Sequence, residues 1–231
     1  MSYILLGAGG GLGRTIAARL AKRDALLILS GRSQEHLVET ERTIRSSNER
    51  ARVHLATVDV SSTKSIDEFV LSIQSLDEPL RGLINTSAAF YKGSFIDQDL
   101  SSIDELLETT YGGVVRLIAR IIKNLRRAST FDVVNVTSVS AATNLDSGRS
   151  SALHIATKAA LQTFGVVVGR ELCNQGIRIC GIAPGTFARK GNTGIPEDVI
   201  ADSVEFLIDL PPSTWIESLV IRPTGIDPKL K

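Results

Sequence analysis

Tyr3-Ile4-Leu5-Leu6-Gly7-Ala8-Gly9-Gly10-Gly11-Leu12-Gly13-Arg14-Thr15-Ile16-Ala17-Ala18-Arg19-Leu20 reads as strand, glycine loop, helix. Five glycines fall within residues 7–13, more than a tight turn requires. Glycine has no Cβ, so it takes positive φ freely and lets another group come close to the backbone. The helix that follows offers unpaired N–H groups and the positive end of its dipole, which favour a phosphate. A strand, such a loop and a helix form the first third of a dinucleotide-binding unit.

The rest of the chain repeats this alternation. Short β-rich runs fall at 3–6, 26–30, 52–58, 82–85, 132–137, 178–183 and 218–222. Helical patterns lie between them, at 12–22, 34–47, 63–77, 98–127, 151–175 and 197–209. Runs such as Leu26-Leu27-Ile28-Leu29 and Val133-Val134-Asn135-Val136 are apolar almost throughout. That favours strands buried on both faces, hence a parallel sheet covered by helices. Right-handed crossovers then give an α/β fold: a doubly wound parallel seven-stranded sheet, a Rossmann fold. The 231 residues suit one domain, 1–231, and show neither a repeat nor a linker.

Composition narrows the classes of function. Lys plus Arg number 26 and Asp plus Glu 25, so charge gives no case for nucleic acid or an anionic membrane as partner. No uninterrupted apolar run approaches the roughly 20 residues of a membrane span. The chain enters its first strand at once, without a signal-peptide pattern. The two cysteines, Cys173 and Cys180, have no metal or redox spacing and read as small buried apolar residues. No metal site is expected, and a cytoplasmic location is.

In a doubly wound sheet the ligand lies along the carboxyl ends of the strands. After the second strand stands Ser30-Gly31-Arg32-Ser33. The carboxylate that would grip a ribose 2′-hydroxyl is missing there. Arg32 suits the 2′-phosphate of NADP instead, and Arg14 adds positive charge nearby. Asp59-Val60 follows the third strand, Asn85-Thr86-Ser87-Ala88 the fourth, Thr137-Ser138 the fifth and Pro184-Gly185-Thr186 the sixth.

This order of motifs resembles the short-chain dehydrogenase/reductase family, over nearly the whole chain. Gly7, Gly11 and Gly13 match the glycines of T-G-x-x-x-G-x-G, with Gly9, Gly10 and Leu12 completing the loop. Asp59-Val60 looks like the pair that contacts adenine, and Asn85-Thr86-Ser87-Ala88 stands where the family has N-N-A-G. Val134 to Ser138 is similar to the strand ending in the catalytic serine. Lys158-Ala159-Ala160-Leu161 matches the K-A-A-L at the active-site lysine. Pro184-Gly185-Thr186 looks like the motif flanking the nicotinamide.

The resemblance implies NADP(H) as cofactor, a small carbonyl or alcohol as substrate, and a homodimer or homotetramer. It also implies catalysis by Ser138, by the residue four before Lys158, and by Lys158, which also holds the nicotinamide ribose. That middle residue is His154, where the family has tyrosine. Thr110 stands at the family's asparagine. Imidazole has an ordinary pKa of about 6.5, and a neighbouring ammonium favours its neutral form. His154 is then a weaker acid than tyrosine in that field, and Tyr91 and Tyr111 are candidate substitutes. Only residues 186–195 separate Pro184-Gly185 from the next helix, a short lid, with Arg189 and Lys190 where a cofactor-contacting threonine is common. Two readings therefore stay open: an NADP(H)-dependent oxidoreductase, or an NADP(H)-binding sensor or scaffold with impaired chemistry.

Overall fold

The computed structural model describes residues 1–89, 95–143, 151–188 and 194–224. Seven strands form one sheet: β1 Ser2–Leu6, β2 Leu26–Gly31, β3 Arg52–Thr57, β4 Leu80–Asn85, β5 Arg127–Val136, β6 Ile177–Pro184 and β7 Ser218–Ile221. Their order is β3-β2-β1-β4-β5-β6-β7 and every pairing is parallel. The order reverses beside β1, so the switch point lies at the glycine loop and the end of β4.

The helices are α1 Gly11–Leu20, α2 Gln34–Ser47, α3 Thr63–Gln74, α4 Leu100–Leu107, α5 Gly113–Asn124, α6 Val139–Thr143, α7 Ala152–Leu172 and α8 Glu197–Ile208. Two apolar cores result, one on each face of the sheet. The first joins α1, α2 and α8 through Ile16, Leu20, Leu37, Ile44, Ile200 and Val204. The second joins α3, α5 and α7 through Ile66, Phe69, Val114, Leu117, Ile118 and Leu161. This is the expected doubly wound Rossmann architecture, with all seven strands in place.

Three sequence expectations change. The single helix over 98–127 is α4, a π-helical turn at Glu108–Gly112, and α5, which stops at Asn124. The extra residue of a π turn leaves the apolar stripe nearly intact, so the pattern does not announce it. Residues from Arg127 onward leave the helix to extend β5, pairing with Leu80 through a register irregularity. Cys180 is buried as expected, but Cys173 is exposed, in the 3-10 turn after α7. In addition, the helical segment Ala152–Gln175 contains an 18-residue stretch with mean hydropathy 1.2, enough by length and composition to cross a membrane. It lies against β6 with Thr157, Lys158, Leu161, Gly165 and Gly169 buried.

A charge cluster lies at the amino ends of β4 and β6. Asp132, 4 % exposed, accepts two hydrogen bonds from Arg178, Nε to Oδ1 at 2.6 Å and Nη2 to Oδ2 at 2.9 Å. Arg81 also donates to Asp132. The two arginines then donate to main-chain carbonyls at and after the end of α8: Arg81 to Ile208, and Arg178 to Leu210, Pro211 and Thr214. Burial of three charges is tolerable because each is paired and its remaining hydrogen-bonding capacity is largely used.

Candidate active site

The glycine loop is shaped first by its own backbone. Gly7 has φ 86°, and a Cβ there would stand 2.5 Å from Thr86 Oγ1 and 2.9 Å from Ser87 N. At Gly13 a Cβ would stand 2.1 Å from the Gly7 carbonyl oxygen, so α1 can start this close to β1 only with glycine. Gly9 faces His36 of α2, whose Cβ would be 2.8 Å away. Gly10 is different, since among the described residues only the Gly7 oxygen, at 3.8 Å, would come near a Cβ there. Leu12 packs against the first core. Helices α2, α3, α4 and α7 begin with side-chain caps from Ser33, Ser62, Asp99 and Ser151. α1, with Gly10 at its N-cap, has no side-chain cap, and neither has α8 behind Pro196, so the first N–H groups of α1 have no side-chain acceptor at the cap. An anionic ligand group fits this start of α1, and the open face at Gly10 gives it room.

One carboxylate already stands close by. Thr15 Oγ1 donates to Glu197 Oε2 at 2.7 Å, and Glu197 Oε1 lies 3.1 Å from where a Gly11 Cβ would be. Glu197 heads a seam between α1 and α8, where Arg19 pairs with Asp198 and Asp202, and Arg23 with Glu205 and Asp209. Thr15 and Glu197 have no sequence motif; their one signal is the four-residue spacing of Thr15, Arg19 and Arg23 along one face.

At the other strand ends the side chains are partly committed to the fold. Asp59 Oδ1 accepts from Ser61 N and Oγ, shaping the approach to α3, and the Val60 carbonyl packs against Gly113. Asn85 is fully buried. Its amide nitrogen donates to Asn135 Oδ1 at 3.0 Å and its oxygen accepts from Ser87. Gly185 N donates to Ile221 O, while Thr186 O accepts from Ile195 N and Ala188 N donates back to Ile195 O. Arg189, Lys190 and Tyr91 lie outside the described residues. Tyr111 packs against the second core.

Ser138, His154 and Lys158 come from two elements. Ser138 follows β5, and its Oγ accepts from Ser140 N at 3.3 Å, capping α6. His154 and Lys158 are one turn apart on α7. Lys158 is 3 % exposed, and its Nζ donates to the Val136 carbonyl at 2.6 Å, two residues before Ser138. Burial alone pulls its pKa from 10.5 to about 8. His154 is held below its ordinary pKa, by burial first and the Lys158 charge second, against a hydrogen bond to the Ala89 backbone. The ammonium effect expected from the sequence is present, but burial outweighs it.

That Ala89 peptide also links Thr110. Ala89 N donates to Thr110 Oγ1 at 3.3 Å, and Thr110 is fully buried in the π turn. The loop after β4 is thus tied to His154 on one side and to Thr110 on the other. Sequence reading missed Ala89 because a backbone contact leaves no trace in residue type.

The comparisons with known proteins agree with this architecture. An uncharacterized oxidoreductase of Staphylococcus saprophyticus subsp. saprophyticus is 23% identical over 229 residues, 95% of this chain and 96% of that protein. The structure of levodione reductase superposes with a TM-score of 0.85 at 22% identity, covering 97% of this chain and 96% of the other. A metagenomic short-chain oxidoreductase in complex with NADP gives 0.82 at 22% identity, over 97% of both chains. Residues 2–199 match the family model described as short chain dehydrogenase. With the parallel sheet, the glycine cradle and this match, the chain belongs to the short chain dehydrogenase family.

Proposed function

We propose that this protein is an NADP(H)-dependent oxidoreductase that interconverts a small carbonyl compound and its alcohol. The observation that carries the reading is Lys158, a nearly buried ammonium held by the Val136 carbonyl beside Ser138 and one turn from His154. A buried cation with no carboxylate partner among the described residues is costly, and such groups cluster where chemistry needs them. The NADP-bound relative and the uncapped α1 support the cofactor assignment.

In this reading Gly7, Gly9, Gly10, Gly11, Leu12 and Gly13 cradle the pyrophosphate. Arg32 meets the 2′-phosphate, Asp59 and Val60 border the adenine, and Asn85, Pro184, Gly185 and Thr186 line the nicotinamide end. Asn85 does so through its backbone, since its side chain is engaged with Asn135 and Ser87. When bound, the nicotinamide supplies or accepts the hydride. Ser138 Oγ donates a hydrogen bond to the substrate oxygen. Lys158 holds the ribose and, as an ammonium at neutral pH, is the proton source for a relay in which one ring nitrogen of the neutral His154 takes up a proton as the other gives its own to that oxygen. A panel of aldehydes and ketones with NADPH tests the assignment. Ser138→Ala should cut kcat/KM roughly a hundredfold, the size of losing one oxyanion donor. Unchanged turnover in that variant removes Ser138 from the site.

The engagement of His154 with the Ala89 backbone favours a second reading, in which the cofactor is bound and the chemistry is lost. His154→Tyr separates the two. If the wild type binds NADPH without turnover and the variant gains activity, the binding reading holds. If the substitution lowers an existing activity, His154 is the working acid.

A further inference from the structure

The sequence lacks a carboxylate at the end of β2, but the structure supplies one there from a distant element. Glu105 of α4 pairs with Arg32, Oε1 to Nη1 at 3.0 Å, across 73 residues of chain. Arg32 immediately follows β2, and α4 packs against α7 on the face of α3 and α5. The pair therefore crosses the carboxyl edge of the sheet, above the place where an adenosine ribose would lie. Arg14, the second arginine near that place, is held in the same manner by Glu39 at 2.9 Å.

A guanidinium binds a carboxylate or a phosphate with the same fork of donors, so the two compete for one site. A carboxylate, by contrast, accepts from a ribose 2′-hydroxyl and repels a 2′-phosphate. Arg32 and Glu105 are 60% and 40% exposed, and pairs this exposed are weak enough to exchange with a ligand. We propose that Glu105 sets the choice between phosphorylated and unphosphorylated dinucleotide. It competes with the 2′-phosphate for Arg32 and, when that phosphate is absent, accepts the 2′-hydroxyl. The inference rests on the proposed placement of the adenosine end at Arg32. It implies a protein that discriminates less sharply than Arg32 alone would dictate.

The test is calorimetric titration of NADPH and NADH into the wild type, Glu105→Gln and Arg32→Ala. Glu105→Gln should raise the ratio of NADPH to NADH affinity by about tenfold, by tightening the first and weakening the second. Arg32→Ala should lower that ratio. A ratio that moves less than about twofold in Glu105→Gln while the wild type prefers NADPH overturns the inference and leaves the cofactor reading standing. A wild type that prefers NADH, with a shift toward NADPH in Glu105→Gln, supports the inference and overturns the NADP preference. If neither variant moves the ratio, or neither dinucleotide binds the wild type, both fall.

Discussion

Lys158→Met should melt several degrees above the wild type at neutral pH while turning over roughly a thousandfold more slowly. The gain follows from burial. A pKa of about 8 in the folded protein, against 10.5 ordinarily, corresponds to about 3 kcal/mol of instability at pH 7. Because the folded value is the lower one, the folded state sheds its proton first. The penalty is therefore complete below about pH 8 and lifts as the pH rises toward 10.5, where stability recovers. Methionine fills the same channel without charge. It leaves the Val136 carbonyl without its donor, a loss of about 1 kcal/mol. The net gain of about 2 kcal/mol corresponds to roughly 4–8 °C in a chain of this size. Thermal melts at pH 7 and about pH 10 check it, since the advantage should shrink at the higher pH. A variant that melts below the wild type at pH 7 would mean that the ammonium stabilises the fold. The rate loss combines a missing proton source with a missing ribose anchor. For the wild type, carbonyl reduction should decline above about pH 8 as Lys158 deprotonates, because reduction consumes a proton.

Substitution at two glycines of the cradle should weaken NADPH binding, one by unfolding the turn and the other without loss of stability. Gly13→Ala places a methyl 2.1 Å from the Gly7 oxygen and 2.9 Å from its carbon, both backbone atoms. The turn between β1 and α1 has to open, at about 3 kcal/mol or more, and NADPH binding should be lost with it. Among the described residues Gly10→Ala meets only the Gly7 oxygen, at 3.8 Å, and its φ of −96° suits alanine. That variant should fold with stability equal to or slightly above the wild type. Its methyl nevertheless occupies the open face that a pyrophosphate needs, so NADPH affinity should drop at least about tenfold. Calorimetry and melts on the same samples separate the effects. A Gly10→Ala protein with unchanged affinity would place the pyrophosphate elsewhere.

The contrast explains what could be read in advance. Strands such as Leu26–Gly31 and Ile177–Pro184 were legible because both faces are buried, which imposes unbroken apolar runs. Ser138 and Lys158 were singled out by resemblance to the family's motifs, and the structure places them after β5 and on α7, with Lys158 Nζ donating to the Val136 carbonyl. The π turn at Glu108–Gly112 was not, since one added residue scarcely alters the stripe of Leu106, Val114, Leu117 and Ile118. The partners of the candidate site were the least legible. Glu105 meets Arg32, Glu197 meets Thr15 and Ala89 meets Thr110 only through folding, and the first and third involve an exposed pair and a backbone atom. Residue type records burial well and long-range polar partnership poorly.

The Asp132 cluster has a bearing on how such a protein can diversify. Asp132 and Arg178 stand six residues before Ser138 and Pro184 on their strands, about 20 Å away along the sheet. The amino edge ties β4, β5 and β6 to the end of α8 and the chain after it through paired charges and main-chain carbonyls. The two edges can therefore accumulate substitutions under separate constraints. Descendants of this scaffold should accordingly drift fastest in what they accept, and slowest in the salt-bridged floor beneath it.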